Sequence, residues 1–156
     1  MPHLRGLPHH QKTMNIYQKL NDARKAIRES EVKKDGVNQF SKYSYFTPEQ
    51  VENLVSDACE KTGTICVTSL DKDEFGYFQE LAFMDIENPE DRIVFILRTD
   101  RPEIKATNLT QQMGGMDTYS ERYIKMKVFQ IKDNSMDFDS QDNRVEKKVV
   151  DEVNFD

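Results

Sequence analysis

The sequence predicts an α+β domain in which two helices precede a three-stranded antiparallel meander and a long helix, giving a β-β-β-α core. Two observations support this prediction. Apolar residues recur every three or four positions in the first part of the chain and again after its glycine pair, as in helices that bury one face. Between these regions, three segments rich in branched and aromatic residues are separated by turn sequences, as in short strands joined directly. We expect helices to cover one face of the sheet.

Two helices are predicted before the meander. The first lies within residues 14–31 and is marked by an apolar stripe at helical spacing: Ile16, Leu20, Ala23 and Ile27. The second has a clear start, because Thr47 can cap it, Pro48 suits the first helical position and Gln50 can close a capping box. Gly63 is a natural C-cap, so this helix should end there.

Three strands are predicted next. From Thr64 the period of the sequence changes from helical to alternating, and residues 77–85 and 92–98 form two further strand-like segments. The last of these, RIVFILR, is the strongest strand signal in the chain. Turn sequences at residues 71–76 and 88–91 separate the three. Such short connections predict an antiparallel meander.

Composition predicts one domain, since 156 residues are enough for one core and too few for two of ordinary size. We expect a flexible lead at residues 1–13, a folded domain at 14–131 and an acidic, flexible tail at 132–156. The lead lacks the apolar segment of a secretory signal, so a cytoplasmic setting is expected. Cys59 and Cys66 show no metal-ligand spacing and should be buried and reduced.

The stretch from residue 108 to 131 contains the residues best suited to bind a ligand. Arg122 and Lys125 lie three positions apart beside tyrosines, so a helix would present cations and rings together to an anionic, aromatic polymer such as single-stranded nucleic acid. Upstream, Tyr43 and Tyr45 would share one side of an extended segment. The alternative is an amphipathic helix whose tyrosines pack on the sheet. Helical spacing places five residues on one face: Met116, Tyr119, Tyr123, Met126 and Gln130.

Two motifs in the chain resemble those of one phage family. The pattern Asn108, Gln111, Gly114, Thr118-Tyr119 and Arg122-Tyr123 resembles the NxxQxxGxxxTYxxRY signature of the essential recombination function (ERF) family of single-strand annealing proteins. Residues 40–46, FSKYSYF, resemble the family's FxxYxYF segment. The resemblance implies a β-β-β-α core, assembly into rings or helical filaments, and ATP-independent annealing of complementary strands during recombination and repair in a bacterial host cytoplasm. It implies neither a cofactor nor a catalytic residue.

The candidate nucleic-acid-binding residues are the cationic, aromatic and hydroxyl side chains of these motifs and of the connection before the last helix. They are Lys42, Tyr43, Tyr45, Arg98, Arg101, Lys105, Thr118, Tyr119, Arg122 and Lys125. The expected partners are single-stranded DNA, further copies of the chain and a phage or host single-strand binding protein, with no membrane partner and no metal. Glu121 departs from the resemblance, because many relatives have a basic residue there.

Two other functions compete with annealing. A protein-interaction module that kept the fold but lost DNA binding would explain Glu121 and the net charge of −6, since nucleic-acid binders are usually basic. A metal-dependent nuclease would need clustered carboxylates, for which the candidates are Asp85, Glu87, Asp91 and Asp100.

Overall fold

The computed structural model describes residues 14–40, 42–101 and 107–132, and within them the predicted α+β order is confirmed. The elements, in chain order, are α1 (Ile16–Arg28), β1 (Gly36–Asn38), β2 (Tyr43–Tyr45), α2 (Pro48–Thr62), β3 (Thr64–Asp73), β4 (Gly76–Asp85), β5 (Arg92–Thr99) and α3 (Leu109–Phe129). The expectations for residues 1–13 and for the tail beyond residue 132 lie outside the described residues. None of the described helices combines the length and apolar character needed to cross a bilayer.

Each of the three helices in the described part of the chain begins with a capping box, in which a cap side chain and a glutamine three residues later bond each other's backbone N–H groups. The pairs are Asn15 with Gln18, Thr47 with Gln50, and Asn108 with Gln111. The predicted start of α2 is therefore confirmed. Its end is confirmed as well, because Gly63 adopts the left-handed conformation, with φ of 64°, that glycine accepts without strain.

The meander β3-β4-β5 is antiparallel throughout, with the central strand β4 pairing both neighbours. The helices cover one face, where Leu81 and Phe83 of β4 are fully buried. Phe83 meets Phe129 of α3 edge to face, with ring centroids 5.9 Å apart. The opposite face carries four exposed branched residues: Ile65, Val67, Val94 and Ile96. The sheet is thus covered on one face, as the sequence predicts.

A second, two-stranded sheet lies between α1 and α2, where the Asp35-Gly36 step of the sequence predicts a turn at residues 33–39. Gly36 instead begins β1 and pairs with Tyr45 of β2. A methyl group on Gly36 would lie 2.5 Å from Cζ of Tyr45, so the absence of a side chain lets this ring lie against the strand. Lys42 closes the hairpin with a positive φ of 49°. The Asp-Gly step is therefore explained by a ring contact rather than by a turn.

The hairpin is attached to α2 through the side chain of Gln50. Its amide nitrogen donates to the carbonyl of Lys33 at 2.7 Å, and its oxygen accepts from the N–H of Asp35 at 3.0 Å and of Thr47 at 3.1 Å. One side chain therefore caps the helix and anchors the segment that leads into β1.

The long helix α3 begins at Leu109 and runs through the glycine pair, whereas the predicted apolar stripe starts only after Gly115. That stripe is divided in the structure: Met116 is buried, but Tyr119 is 61% exposed. The face turned to the sheet follows strict spacing of four from Met116 through Ser120 to Ile124, which are all buried. The tyrosines consequently lie at the boundary of the buried face and the solvent.

Candidate nucleic-acid interface

Two segments far apart in the sequence meet at the side chain of Arg122. Its guanidinium carbon lies 5.9 Å from the ring centroid of Tyr45 in β2 and 5.7 Å from that of Tyr123 in α3. One guanidinium nitrogen donates to the carbonyl of Phe46 at 2.9 Å. Arg122 therefore joins α3 to the hairpin, and its planar group is held between aromatic faces.

Two tyrosine pairs flank this arginine. Tyr119 and Tyr123 stack at a tilt, with centroids 4.4 Å apart, and the Tyr119 hydroxyl donates to that of Tyr123 at 3.0 Å. Tyr43 and Tyr45 meet edge to face at 6.3 Å. The five side chains, called here the tyrosine–arginine cluster, are Tyr43, Tyr45, Tyr119, Arg122 and Tyr123.

A surface cavity of about 420 Å³ lies beside the cluster, between the hairpin and α3. Val37, Asn38 and Phe40 of the hairpin line it together with members of the cluster. Phe40 is 93% exposed at the turn of the hairpin. The arrangement offers ring faces, a cation and apolar surface in one place, which is what unpaired bases and their phosphates require.

Tyr123 was not among the candidate residues, although the Arg-Tyr step of the signature contains it. Helical spacing places Tyr123 on the same stripe as Met116, where packing on the sheet is the alternative to ligand binding. In the structure it is half-buried and contacts both Tyr119 and Arg122. The signal that could have identified it is its position four residues after Tyr119 and next to Arg122.

Lys125, in contrast, does not belong to the cluster. It is 7% exposed, and its ammonium lies 2.8 Å from Glu121 and 3.4 Å from Glu52. Burial lowers the pKa of Lys125, but the two carboxylates raise it more, so the pKa lies above its usual value. Thr68 of β3 also donates to Glu121 at 3.1 Å. The ammonium is thus engaged in a bridge between α3, α2 and the sheet.

Glu121, which departs from the family pattern, is explained by this bridge. Burial raises its pKa, while the hydrogen bond and charge of Lys125 and the hydroxyl of Thr68 lower it, with a net pKa below the usual value. The carboxylate is therefore ionised and directed at Lys125. Its negative charge is compensated locally.

Arg98 belongs to a different group of residues. It forms a two-pronged ion pair with Asp73, and its guanidinium carbon lies 5.7 Å from the ring of Phe75 and 5.2 Å from that of Phe78. Its hydrogen bonds lower the pKa of Asp73, and that carboxylate raises the pKa of Arg98. Arg98 therefore contacts residues at and near the turn between β3 and β4, whereas Arg122 contacts Tyr45 and Tyr123.

Three further candidates are surface positions. Lys42, Arg101 and Thr118 are exposed, in the hairpin turn, just after β5 and on α3 respectively. Lys105 lies outside the described residues. The structure therefore brings Tyr43, Tyr45, Tyr119 and Arg122 together out of the ten candidates.

The first half of the signature has a structural explanation. Asn108 and Gln111 form the capping box of α3, with N–H to oxygen distances of 2.8 Å and 3.2 Å. Gly114 has no such explanation, because a methyl group there would meet nothing within 4 Å. A glycine inside a helix costs about 0.5–1 kcal/mol relative to alanine. Packing within the described residues therefore does not explain why residue 114 is a glycine.

The carboxylates considered for a nuclease are engaged differently. Asp85 forms an ion pair with Lys19 at 2.8 Å and accepts the N–H of Glu87 at 3.0 Å. Both contacts, that of Lys19 first, hold the pKa of Asp85 below its usual value. Across residues 14–40, 42–101 and 107–132, no three His, Cys, Asp or Glu side chains lie close enough to share a metal ion.

Comparison with protein-family models gives one match, to the model described as the ERF superfamily, over residues 16–154. This range includes both segments that build the tyrosine–arginine cluster. No curated protein and no solved structure matches the chain significantly.

Proposed function

We propose, because this chain belongs to the ERF superfamily, that it binds single-stranded DNA and anneals complementary strands without hydrolysing a nucleotide. Family membership supports an annealing-type role in phage recombination. Annealing needs a surface that holds one strand while leaving its bases accessible, and it makes or breaks no covalent bond. We therefore assign binding roles, and no catalytic ones, to the site.

The tyrosine–arginine cluster is the observation that supports this function best. Exposed tyrosine faces can stack bases, and such stacking contributes about 1–3 kcal/mol per base. Tyr119 offers such a face, since it is 61% exposed. Arg122, held between two rings, adds a positive charge where a phosphate or a base would lie. Because the net charge of the chain is −6, attraction of DNA must come from local cations such as Arg122 rather than from the overall charge.

The first prediction concerns the preference for single strands. The protein should bind a labelled single-stranded oligonucleotide more tightly than the same sequence as a duplex, and affinity should fall as salt rises because phosphate contacts release counterions. Fluorescence anisotropy at several salt concentrations measures both effects. Annealing of two complementary oligonucleotides should proceed without nucleotide or metal, with a non-complementary pair as the control. Equal affinity for both DNA forms at low salt would contradict the proposal.

A protein-interaction module is the second candidate, and the net negative charge together with the ion-paired Lys125 and Arg98 favours it. The same assay separates the two functions. A module of this kind would bind neither DNA form at low salt, whereas an annealing protein binds the single strand.

We further propose that the chain self-associates, with α1 and residues 40–46 close to the contact with a second copy. One domain offers few cations, so repeated copies along a strand would make binding multivalent. The surfaces of these segments carry apolar groups suited to an interface, because Tyr17 is 69% exposed and Phe40 is 93% exposed. The occupant of this surface is another copy of the chain.

The second prediction tests that assembly. Light scattering at micromolar concentration should show oligomers, and Phe40→Asp should shift the distribution towards the monomer because a charge would be desolvated in the contact. Phe75→Asp is a matched control, since Phe75 is also a largely exposed phenylalanine but lies in the turn between β3 and β4. If the wild-type chain is a monomer both with and without a long oligonucleotide, the proposed self-association is wrong.

A further inference from the structure

The two cysteines of the chain lie side by side, although neither forms a disulfide. Cys59 is in the last turn of α2 and Cys66 is the third residue of β3, and the left-handed turn at Gly63 brings the strand back along the helix. Their sulfur atoms are 3.8 Å apart, in contact through a hydrogen bond. A disulfide requires about 2.05 Å, so the two sulfur atoms are near each other but would have to approach further to form the bond.

Cys59 and Cys66 line a cavity of about 330 Å³ at the junction of α2, β3 and α3. Val55, Ile65 and Ile86 provide apolar walls, and Lys125 lies in the same lining. The cavity gives a small reagent a route to two thiols that are otherwise buried or half-buried. Access from the surface is a property of reactive rather than inert cysteines, and the lining also holds Lys125 together with Glu52, which is paired with its ammonium.

The two thiols differ in acidity. The hydrogen bond from Cys66 lowers the pKa of Cys59, burial raises it, and Thr64 and Lys125 lower it further, which leaves it at about 7. The pKa of Cys66 is raised, because the hydrogen bond with Cys59 and burial both disfavour its charged form. One thiol can thus act as the nucleophile and the other can keep the proton needed later.

We propose that Cys59 and Cys66 form a peroxide-responsive dithiol, which closes to a disulfide between α2 and β3 within one chain. This inference rests on the distance between the sulfurs and on the cavity, and it is independent of the proposed DNA binding. It assigns a modification site to a pair expected from the sequence to be buried core residues.

The chemistry balances with one peroxide. The Cys59 thiolate attacks a peroxide oxygen, the O–O bond breaks, and the departing hydroxide takes a proton to leave as water, giving a sulfenic acid. The sulfur of Cys66 then attacks the Cys59 sulfur, the S–S bond forms, the S–O bond breaks, and the hydroxide leaves with the Cys66 proton as a second water. Two thiols lose two electrons, and the peroxide is reduced to two molecules of water. A small dithiol reductant should reverse the reaction.

Mass spectrometry of the wild-type chain after treatment with hydrogen peroxide tests the proposal. Trypsin cleaves after Lys61, between the two cysteines, so the disulfide appears as two linked peptides. The intact chain should lose the mass of two hydrogens, and its free thiols should fall from two to none. Alkylation of both thiols after peroxide treatment, or linkage between chains instead of within one, would overturn the proposal.

Single variants identify the order of the two steps. Cys66→Ser should stop at the sulfenic acid, which dimedone traps on Cys59, whereas Cys59→Ser should give no trapped product at the same peroxide concentration. Dimedone labelling of Cys66 in the Cys59→Ser variant at the rate seen for Cys59 would overturn the assignment of the nucleophile. Thermal melting of each variant verifies that it is folded. The mass-spectrometry test of the disulfide uses only the wild-type chain, so it does not depend on the folding of the variants.

Discussion

Arg122→Ala should weaken the binding of single-stranded DNA about tenfold, since a cation–π contact contributes about 0.5–2 kcal/mol and a tenfold change in affinity corresponds to about 1.4 kcal/mol. The substitution also removes the hydrogen bond to the Phe46 carbonyl and the contacts with two rings, so it should lower the stability of the hairpin as well. Affinity by fluorescence anisotropy and melting temperature by circular dichroism should be measured on the same samples.

Two control variants separate the causes of that loss. Arg122→Lys keeps the charge but lacks the planar group that lies between Tyr45 and Tyr123, so it should recover only part of the affinity. Lys127→Ala removes a positive charge from an exposed position on the same helix and should have a small effect. If Lys127→Ala weakens binding as much as Arg122→Ala, net charge rather than the cluster determines affinity. Unchanged affinity in a folded Arg122→Ala would place the DNA site elsewhere.

Lys125→Met should act on stability instead, lowering the free energy of unfolding by about 1–3 kcal/mol, because it leaves two carboxylates without their cation. This loss of unfolding free energy is smaller than the loss expected on breaking a fully buried ion pair, since the Glu52 side chain is 63% exposed. Urea unfolding of Lys125→Met, Glu121→Gln and the double variant gives the coupling between the two residues. DNA affinity of the folded variant should stay near the wild-type value.

The pH dependence of this effect follows from the two pKa shifts. The folded-state pKa of Glu121 is depressed, so its contribution is present above the usual glutamate pKa and is lost as the pH falls through the folded value. The pKa of Lys125 is raised, so its contribution is present below the usual lysine pKa and is lost as the pH rises through the folded value. The stability difference between wild type and Lys125→Met should therefore be largest from about pH 5 to pH 9.

The opposite outcome is equally informative for Lys125. If Lys125→Met leaves the free energy of unfolding unchanged but weakens DNA binding, its ammonium leaves the bridge to contact the strand. The sequence-based assignment of Lys125 as a DNA contact would then hold, and the bridge to Glu121 would be a feature of the free protein alone.

Local signals in the sequence were sufficient for the helices and the meander. The start of α2 depends on Thr47 and Gln50, which bond each other across three residues, and its end depends on the left-handed turn at Gly63. Neither requires knowledge of the rest of the fold. The three strands of the meander are also predictable, because the alternation of apolar and polar residues indicates which side chains face the core.

What the sequence did not predict depends on contacts between distant residues. Gly36 pairs with Tyr45 in the hairpin, and the Tyr45 ring occupies the space that a side chain at residue 36 would need, which residue spacing alone cannot show. Lys125 and Arg122 are both cations on one helix, yet only the packing of α2 and the sheet decides that the first is buried in a bridge. Asn108 and Gln111 have the spacing of a capping box, but the apolar stripe of α3 starts only after the glycine pair, so the stripe alone predicts a later start of the helix.

The hydrogen bonds of Gln50 connect the stability of the hairpin to that of the first turn of α2. Two strands of three residues each form no stable structure alone in water, so β1 and β2 persist only while they are attached elsewhere. Part of that attachment is a side chain that also closes the first turn of α2, and helix ends are among the first parts of a protein to fray. Opening of the hairpin and fraying of this helix end are therefore coupled in one local unfolding unit. The first turn of α2 therefore helps to hold the ring of Tyr45 beside Arg122, and the amide hydrogens of the hairpin should exchange with solvent faster than those of the core.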